Sequence, residues 1–441
     1  MRDALLFLRT FVRARWGMKF SSREKLEAHQ RRQLARFERD VLSKSKFFRY
    51  ARVSNLAAVP MMNKRVMMEN FDELNTVGIR KADAFDVALT AERTRDFASE
   101  IGGIAVGLSS GTSGSRGLFL ASKRERAQWA GVLLAKLLPA PLLQRQRVAL
   151  FLRANSKLYE SVGRAGLISF RFFDMVKTLD ENLVELQTFN PSILVAPAQL
   201  LEKIARAQQA GRITLTPRKV ISVAEVLPDD VKTLIEATWA VQAQQVYQCT
   251  EGFLAASCEH GKLHLNEEFV HIEPDWIDRE GGRFAPVVTD FTRSSQPIVR
   301  YRLDDVLVLD PKPCSCGRVT RVIERIEGRC DDVLTLPGAG GAVDVFPDFV
   351  SRAIVSVPGV EDFRCRQSDA HTLRVQLLAP GIAISAVTAS LRAALARLGV
   401  STSEVRLDFE MVERFNESPL DKRRRTTRER FDTSPPTAPC E

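Results

Sequence analysis

Apolar residues recur at helical spacing between residues 21 and 48, where Leu26, Leu34, Phe37 and Val41 share one face and Ser21 or Ser22 can cap the first turn. A second helix-rich stretch runs to about residue 100. From there the pattern changes. Short apolar, β-branched runs (Val148–Leu152, Ile193–Ala196, Val220–Val223, Val246–Tyr247) are separated by helix-length segments. Such alternation predicts an α/β fold, a mainly parallel sheet covered by helices. Residues 262–310 read as shorter strands with turns, one of them at Glu280-Gly281-Gly282. A break falls over 327–341, where Glu-Gly-Arg-Cys-Asp-Asp precedes Pro337-Gly-Ala-Gly-Gly341. Beyond it a helix over 347–356, a strand over 372–378, a helix over 384–398 and a strand over 405–411 predict a small C-terminal α+β domain. Residues 433–441, TSPPTAPCE, have the composition of a disordered tail.

A chain of 441 residues is too long for one compact domain. Hydrophobic residues at 45% and charged residues at 27% are ordinary for a soluble globular protein, and no apolar run is long enough to span a bilayer. The first twenty residues, MRDALLFLRTFVRARWGMKF, are too broken by Arg9 and Arg13 for a signal peptide. They read as a helix that packs an apolar face on the body of the protein, with a basic membrane- or partner-resting helix as the alternative. The net charge is +10, and Lys422, Arg423, Arg424, Arg425, Arg428 and Arg430 against Glu429 account for about half of it. No nucleic-acid motif accompanies this run, so a solvated face is expected there rather than a nucleic-acid surface. Seven Cys, an odd number, argue for a reducing compartment, the cytoplasm, and against a disulfide framework.

Four segments carry candidate chemistry. Leu108-Ser-Ser-Gly-Thr-Ser-Gly-Ser-Arg-Gly117 offers consecutive hydroxyls and backbone N–H groups that can wrap polyphosphate oxygens, and it lacks the spacing and Lys of a Walker loop. In Val246-Tyr-Gln-Cys-Thr-Glu251, at a predicted strand end, a Tyr can stack on a base, a Thr can bond a phosphate and a Glu can ligate Mg²⁺. Arg300-Tyr-Arg-Leu-Asp-Asp305 holds a carboxylate that could accept both ribose hydroxyls, and Glu327-Gly-Arg-Cys-Asp-Asp332 lies at the break. Alone, each reads equally as a loop with ordinary charges.

In their order and spacing these segments, followed by a small domain with a late Lys, resemble the adenylate-forming superfamily of acyl- and aryl-CoA ligases. The likeness runs from about residue 20 to residue 430 and is nearest to the branch of phenylacetate–CoA ligases and coenzyme F synthetase-like proteins. Asn63-Lys-Arg-Val-Met-Met-Glu-Asn-Phe71, Asn190-Pro-Ser-Ile-Leu-Val195, Cys314-Ser-Cys-Gly-Arg318 and Val343-Asp-Val-Phe-Pro347 also look like that branch. The resemblance implies a large N-terminal adenylation domain (a helical segment over 1–100, a nucleotide- and acid-binding part over 101–328), a hinge at 329–331 and a mobile small domain over 332–432. By position, Ser109, Ser110, Gly111, Thr112, Ser113 and Gly114 would hold the β,γ-phosphates of ATP. Ala224 and Glu225 would line the adenine pocket and Tyr247 would stack on the base. Thr250 would touch the α-phosphate and Glu251 would hold Mg²⁺. Asp305, aided by Arg329, would bind the ribose, and Asp331 would be the hinge. Lys422 is the candidate catalytic lysine. The sequence departs from the family at Arg116 (commonly Lys), at Gln248 (commonly Gly) and in the residue before Lys422 (commonly Gly).

The implied activity is activation of a carboxylic acid, aromatic or short acyl, as acyl-AMP with loss of pyrophosphate. Transfer to coenzyme A or to the phosphopantetheine arm of an acyl carrier protein follows. Adenylyl transfer to a hydroxyl of a coenzyme, and ligand binding without turnover, are the alternatives. Finally, Cys314 and Cys316 at C-x-C spacing, with Cys258 and His264 upstream at C-x₅-H spacing, make a candidate structural zinc set. His260 is an alternative ligand, and buried free thiols are the reading without metal.

Overall fold

The computed structural model describes residues 2–94, 99–109, 116–139, 144–152, 168–379, 381, 384–415 and 423–429. Ser110 to Gly114, Lys422 and the tail over 433–441 lie outside the described residues. Two compact units emerge: residues 1–275, 286–303 and 309–324 form the first, and residues 276–285, 304–308 and 325–441 the second. Asp305 therefore belongs to the second unit, which takes in two short segments upstream of the expected hinge.

In the first unit the strand-and-helix alternation folds as expected. Strands Ile168–Asp174, Gln146–Leu152, Ile193–Ala196, Lys219–Val223 and Ala243–Cys249 lie side by side in that order, all parallel. Gly252–Ser257 and Leu263–Leu265 then continue the sheet antiparallel. Alternate residues of the parallel strands face opposite ways. Ala149, Phe151, Leu194 and Val220 pack against the helices Leu179–Phe189, Ala198–Gln209 and Asp229–Trp239. Val148, Leu150, Ile193 and Ile221 pack against the helix Lys123–Leu137. Covering on both faces explains why these strands read as unbroken apolar runs.

The helix expected over 21–48 runs as Arg23–Asp40, and the Ser22 hydroxyl accepts from the Lys25 N–H at 3.4 Å. It buries Leu26, Leu34 and Phe37. Its polar face is tied far along the chain. Arg23 donates twice to Glu267, at 2.7 and 2.8 Å, Arg321 Nε donates to the same carboxylate at 3.0 Å, and Gln30 Nε2 donates to the Glu267 carbonyl at 2.9 Å. Burial penalises the Glu267 charge, and the two guanidiniums outweigh it, holding this carboxyl below its ordinary range. The N-terminal helix Arg2–Val12 packs Phe7 and Phe11 on the core, as expected. Among the described residues no helix is long and apolar enough to cross a membrane.

The second unit has a four-stranded sheet in the order Arg406–Met411, Thr372–Leu378, Asp362–Gln367, Thr426–Arg428, with the helices Pro347–Val355 and Ile384–Arg397 contributing to one core. A hairpin, Leu334–Gly338 with Gly341–Val345, joins that core. Buried Gln367 latches it: its Oε1 accepts from the Thr335 N–H at 2.9 Å and its Nε2 donates to the Thr335 carbonyl at 2.6 Å. The C-terminal basic run is not the solvated face its composition predicts. Arg425 Nε donates to Asp362 at 2.9 Å, Arg423 lies 3.7 Å from the same carboxylate, and Arg424 Nε donates to Asp332 at 3.0 Å. Strand Thr426–Arg428, which pairs parallel to Asp362–Gln367, draws the run into the fold.

Candidate functional site

The adenylation candidates of the first unit gather at the carboxyl ends of neighbouring parallel strands, where α/β sheets bind ligands. Strand Lys219–Val223 ends on Ala224, which has φ +66°, a left-handed conformation that costs any residue with a Cβ. Glu225 follows and accepts from the Gln199 side-chain amide at 3.0 Å. Val223 pairs with Val246, so the next residues along, Ala224 and Tyr247, occupy adjoining rows. A β-bulge between Tyr247 and Gln248 breaks the register with strand Gly252–Ser257 and re-aims the strand end. Thr250 and Glu251 form the turn into that strand, with Glu251 only 6% exposed.

Ser109 closes a hairpin whose arms are Ile104–Leu108 and Leu118–Ser122. Its N–H donates to the Gly117 carbonyl, and its hydroxyl accepts from the Gly117 N–H, both at 2.8 Å. Ser109 and Gly117, which flank the candidate phosphate loop, are thus clamped to each other. Arg116 donates to both oxygens of Glu92 at 2.6 and 2.7 Å, and its Nε to the Ser109 carbonyl at 3.4 Å.

Two residues that organise this site escaped the sequence reading. Arg293 donates to the Thr250 carbonyl at 2.9 Å and to the Leu120 carbonyl at 3.1 Å, joining the Thr250–Glu251 turn to an arm of the Ser109 hairpin. Asp290 is buried; its Oδ1 accepts from the Thr292 N–H at 2.8 Å, and its Oδ2 lies 3.0 Å from where a Cβ on Gly252 would be. Burial pushes the Asp290 carboxyl up to about 6, against the pull of Thr292 and Arg293. The Asp290-Phe-Thr-Arg293 string was the available signal, and it reads as an ordinary turn.

In the second unit, Asp305 opens strand Asp305–Leu309 and Arg329 ends strand Val322–Arg329. The Arg329 hydrogen bond goes to Asp304, at 2.8 Å, and its charge contact reaches Asp305, Asp331 and Asp332. Burial works against the guanidinium charge, and these four carboxylates reinforce it. Asp331 lies 3.5 Å from Arg329, on the short turn Cys330–Asp332.

The cysteine set assembles within the first unit. The Sγ atoms of Cys258, Cys314 and Cys316 and a ring nitrogen of His264 all lie within 4.8 Å of one another. Cys258 Sγ is 3.8 Å from Cys314 Sγ, and Cys316 Sγ is 3.3 Å from His264 Nε2. Two thiolates on one tetrahedral zinc stand roughly 3.8 Å apart, given Zn–S bonds of about 2.3 Å, whereas a disulfide needs about 2.05 Å. His264 Nδ1 pairs with Thr320 Oγ1 at 2.9 Å, the outer contact that orients a ligating imidazole. Burial, then Arg318, holds the ring down to about 4, so it is neutral. His260 is not in the cluster.

No protein-family model matches the chain. Among curated proteins it is similar to a phenylacetate-coenzyme A ligase of Thermus thermophilus, 24% identical over 41% of this chain and 43% of that protein. It is similar also to a phenylacetate-coenzyme A ligase of Aromatoleum evansii, 27% identical over 39% of this chain and 41% of that protein. Protein CapK of Staphylococcus aureus is 27% identical over 44% of this chain and 42% of that protein. The chain spans less than half the length of the curated relatives it matches. Among solved structures, a 2-hydroxyisobutyryl-CoA ligase in the postadenylation state, in complex with 2-HIB-AMP, matches at a TM-score of 0.63 with 17% identity. That match covers 97% of this chain and 90% of that one. Amide bond synthetase McbA from Marinactinospora thermotolerans matches at 0.53 with 16% identity, over 73% of this chain and 67% of that one. The fold is that of these solved ligase structures, and over about two fifths of its length the sequence is similar to phenylacetate-coenzyme A ligases and to Protein CapK.

Proposed function

We propose that this chain joins a carboxylic acid to AMP from ATP, releasing pyrophosphate, and then hands the acyl group to a thiol. The observation that carries this is the strand-end cluster: left-handed Ala224 in the row beside Tyr247, with Thr250 and Glu251 at the next turn. Holding a residue with a Cβ in the left-handed region costs stability, and such strain often accompanies a functional site. Tyr247 supplies a face for the base, and Ala224 and Glu225 its edge. Glu251, a buried carboxylate, is the hard oxygen donor that Mg²⁺ takes. When bound, that ion neutralises polyphosphate charge.

The substrate carboxylate attacks the α-phosphorus. A C–O–P bond forms, the bond from the α-phosphorus to the bridging oxygen breaks, and pyrophosphate leaves with the electron pair. The protein needs little acid–base chemistry for this; positioning and charge placement supply most of the effect. Thr250 holds an α-phosphate oxygen, the hydroxyls of residues 109–113 hold the departing phosphates, and Asp305 takes the ribose hydroxyls. Lys422 meets the charge of the reacting carboxylate, and Asp331 keeps the hinge role. In the second half a thiolate adds to the acyl carbonyl and AMP leaves. Coenzyme A and a carrier-protein pantetheine are both thiols that fit this step, and the acid is aromatic or short.

We further propose that Cys258, His264, Cys314 and Cys316 hold a structural zinc. A reducing compartment, the cytoplasm, keeps such thiolates available.

Acid-dependent exchange of labelled pyrophosphate into ATP, across a panel of aromatic and short acids, tests the reading. Exchange with one acid, followed by thioester with coenzyme A or a holo-carrier protein, is the expected result. AMP transferred to a hydroxyl, or tight ATP binding without exchange for any acid, would sink it.

A further inference from the structure

We propose that the N-terminal helix seats this protein on an anionic membrane surface. Arg2–Val12, continued by a wider turn over Arg13–Gly17, has two apolar faces. One is spent on the core: Phe7 and Phe11 pack with the helix Lys123–Leu137, together with Ala14. The two helices touch backbone to side, since a Cβ added at Gly131 would come within 2.8 Å of the Phe7 carbonyl oxygen. Arg15 pins the far end, donating to the carbonyls of Ala135 at 2.8 Å and Leu138 at 2.9 Å. The helix therefore cannot roll to hide its other face.

That other face is apolar and open to solvent. Leu5, Leu8, Val12 and Trp16, spaced three and four apart, are 69, 55, 46 and 53% exposed. Arg9, Arg13 and Lys19 are exposed on the same segment, where Asp3 is the one acid in the first twenty residues. A stripe of Leu and Val ending in Trp, flanked by cations, is the composition of a helix lying in the headgroup boundary, with Trp at the interface and Arg on lipid phosphates. The charge selects the occupant. A second copy of this chain would bring the same cations against these, whereas an anionic bilayer meets them with opposite charge. The helix lies along the surface and does not span it, since it has only 11 residues.

The test is flotation of the full chain with vesicles of phosphatidylcholine alone and of phosphatidylcholine mixed equally with phosphatidylglycerol. Flotation with the anionic vesicles only, weakening as salt rises, is expected. Arg9→Gln with Arg13→Gln should cost about fivefold in partitioning for each arginine. Leu8→Gln with Trp16→Ser should cost at least about tenfold, and its melting temperature is read alongside because Trp16 also meets the Phe11 ring edge-on at 5.9 Å. Quenching of tryptophan fluorescence by brominated lipid should fall in Trp16→Phe. Failure to float with anionic vesicles at low salt would overturn the proposal, as would unchanged flotation of the Leu8/Trp16 variant. A concentration-dependent dimer abolished by that same variant would also overturn it, giving the face to a second copy.

Discussion

Arg424 Nε donates to Asp332 Oδ2 at 3.0 Å, so the basic run near the chain's end is gripped by the residue that follows the candidate hinge. Asp332 is buried, and burial raises its carboxyl while Arg424 pulls the other way. Asp362 holds the neighbours: Arg423, Arg425 and Arg364 all converge on it, with side chains 10, 7 and 14% exposed. The run is an internal fastening of the second unit. It brackets the chain immediately after Lys422.

Asp362→Asn should therefore destabilise the protein by about 3 kcal/mol, because three guanidiniums lose their shared carboxylate. Denaturant unfolding of the full chain reads this. A run that merely faced solvent would show a change within about 0.5 kcal/mol.

Lys422→Ala should slow acyl-adenylate formation by about 10²–10³, as for a single group that meets charge only in the transition state. ATP affinity should be nearly intact, and pre-formed acyl-adenylate should still give thioester. Rapid-quench measurement of pyrophosphate release separates these steps. A wild-type rate in the variant would take the role away from Lys422.

Thr112→Ala with Ser113→Ala should weaken ATP and leave AMP nearly unchanged, since only ATP carries the β,γ-phosphates. Asp305→Ala should weaken both, since both carry the ribose. Titration calorimetry with the two nucleotides tells these patterns apart, and equal loss of both in the loop variant would remove the phosphate assignment.

Purified protein should carry about one zinc, as expected for a closed four-ligand set. Cys314→Ser should lose it and melt at a lower temperature. Metal analysis and melting of both forms decide this, and metal-free wild-type protein of the same stability would end the zinc reading.

Lys219 gives a pH signature. It donates to the Leu137 carbonyl at 2.6 Å, and burial, then Arg15 and Arg318, push its ammonium down to about 8. An unfolded lysine titrates near ~10.4. Between those values the unfolded chain binds more protons, so stability from this group rises with pH, by about 3 kcal/mol in total. Lys219→Met should flatten the rise between about pH 8 and 10.4 relative to wild type. Parallel slopes for the two proteins would count against the burial argument.

The parallel strands were legible because burial on both faces makes them solid apolar runs, as at Ile193–Ala196. The Asp362–Gln367 strand was not, since its outward positions Arg364 and Arg366 break the run and its inward Gln367 is polar. Candidate residues within a motif, such as Tyr247 and Glu251, could be singled out by spacing. Arg293 and Asp290 could not, because their work is done through backbone carbonyls and N–H groups that any loop possesses. The C-terminal arginines misled for a related reason: composition records charge, and the carboxylates that bury it are 63 and 92 residues away. Choosing His264 over His260 needed the register that sets His264 opposite Ala256.

The Arg23–Glu267 pair has a consequence for how the chain is made. Its partners are separated by 244 residues, and Arg321 comes later still. At roughly 5–20 residues per second, a ribosome needs about 12 to 50 s to extend from the first partner to the second. Through that interval Arg23 and Gln30 of the helix Arg23–Asp40 are without their long-range partner at Glu267. The polar face of this helix is therefore fastened only after more than half of the chain has been made, which makes its final docking a late event of synthesis.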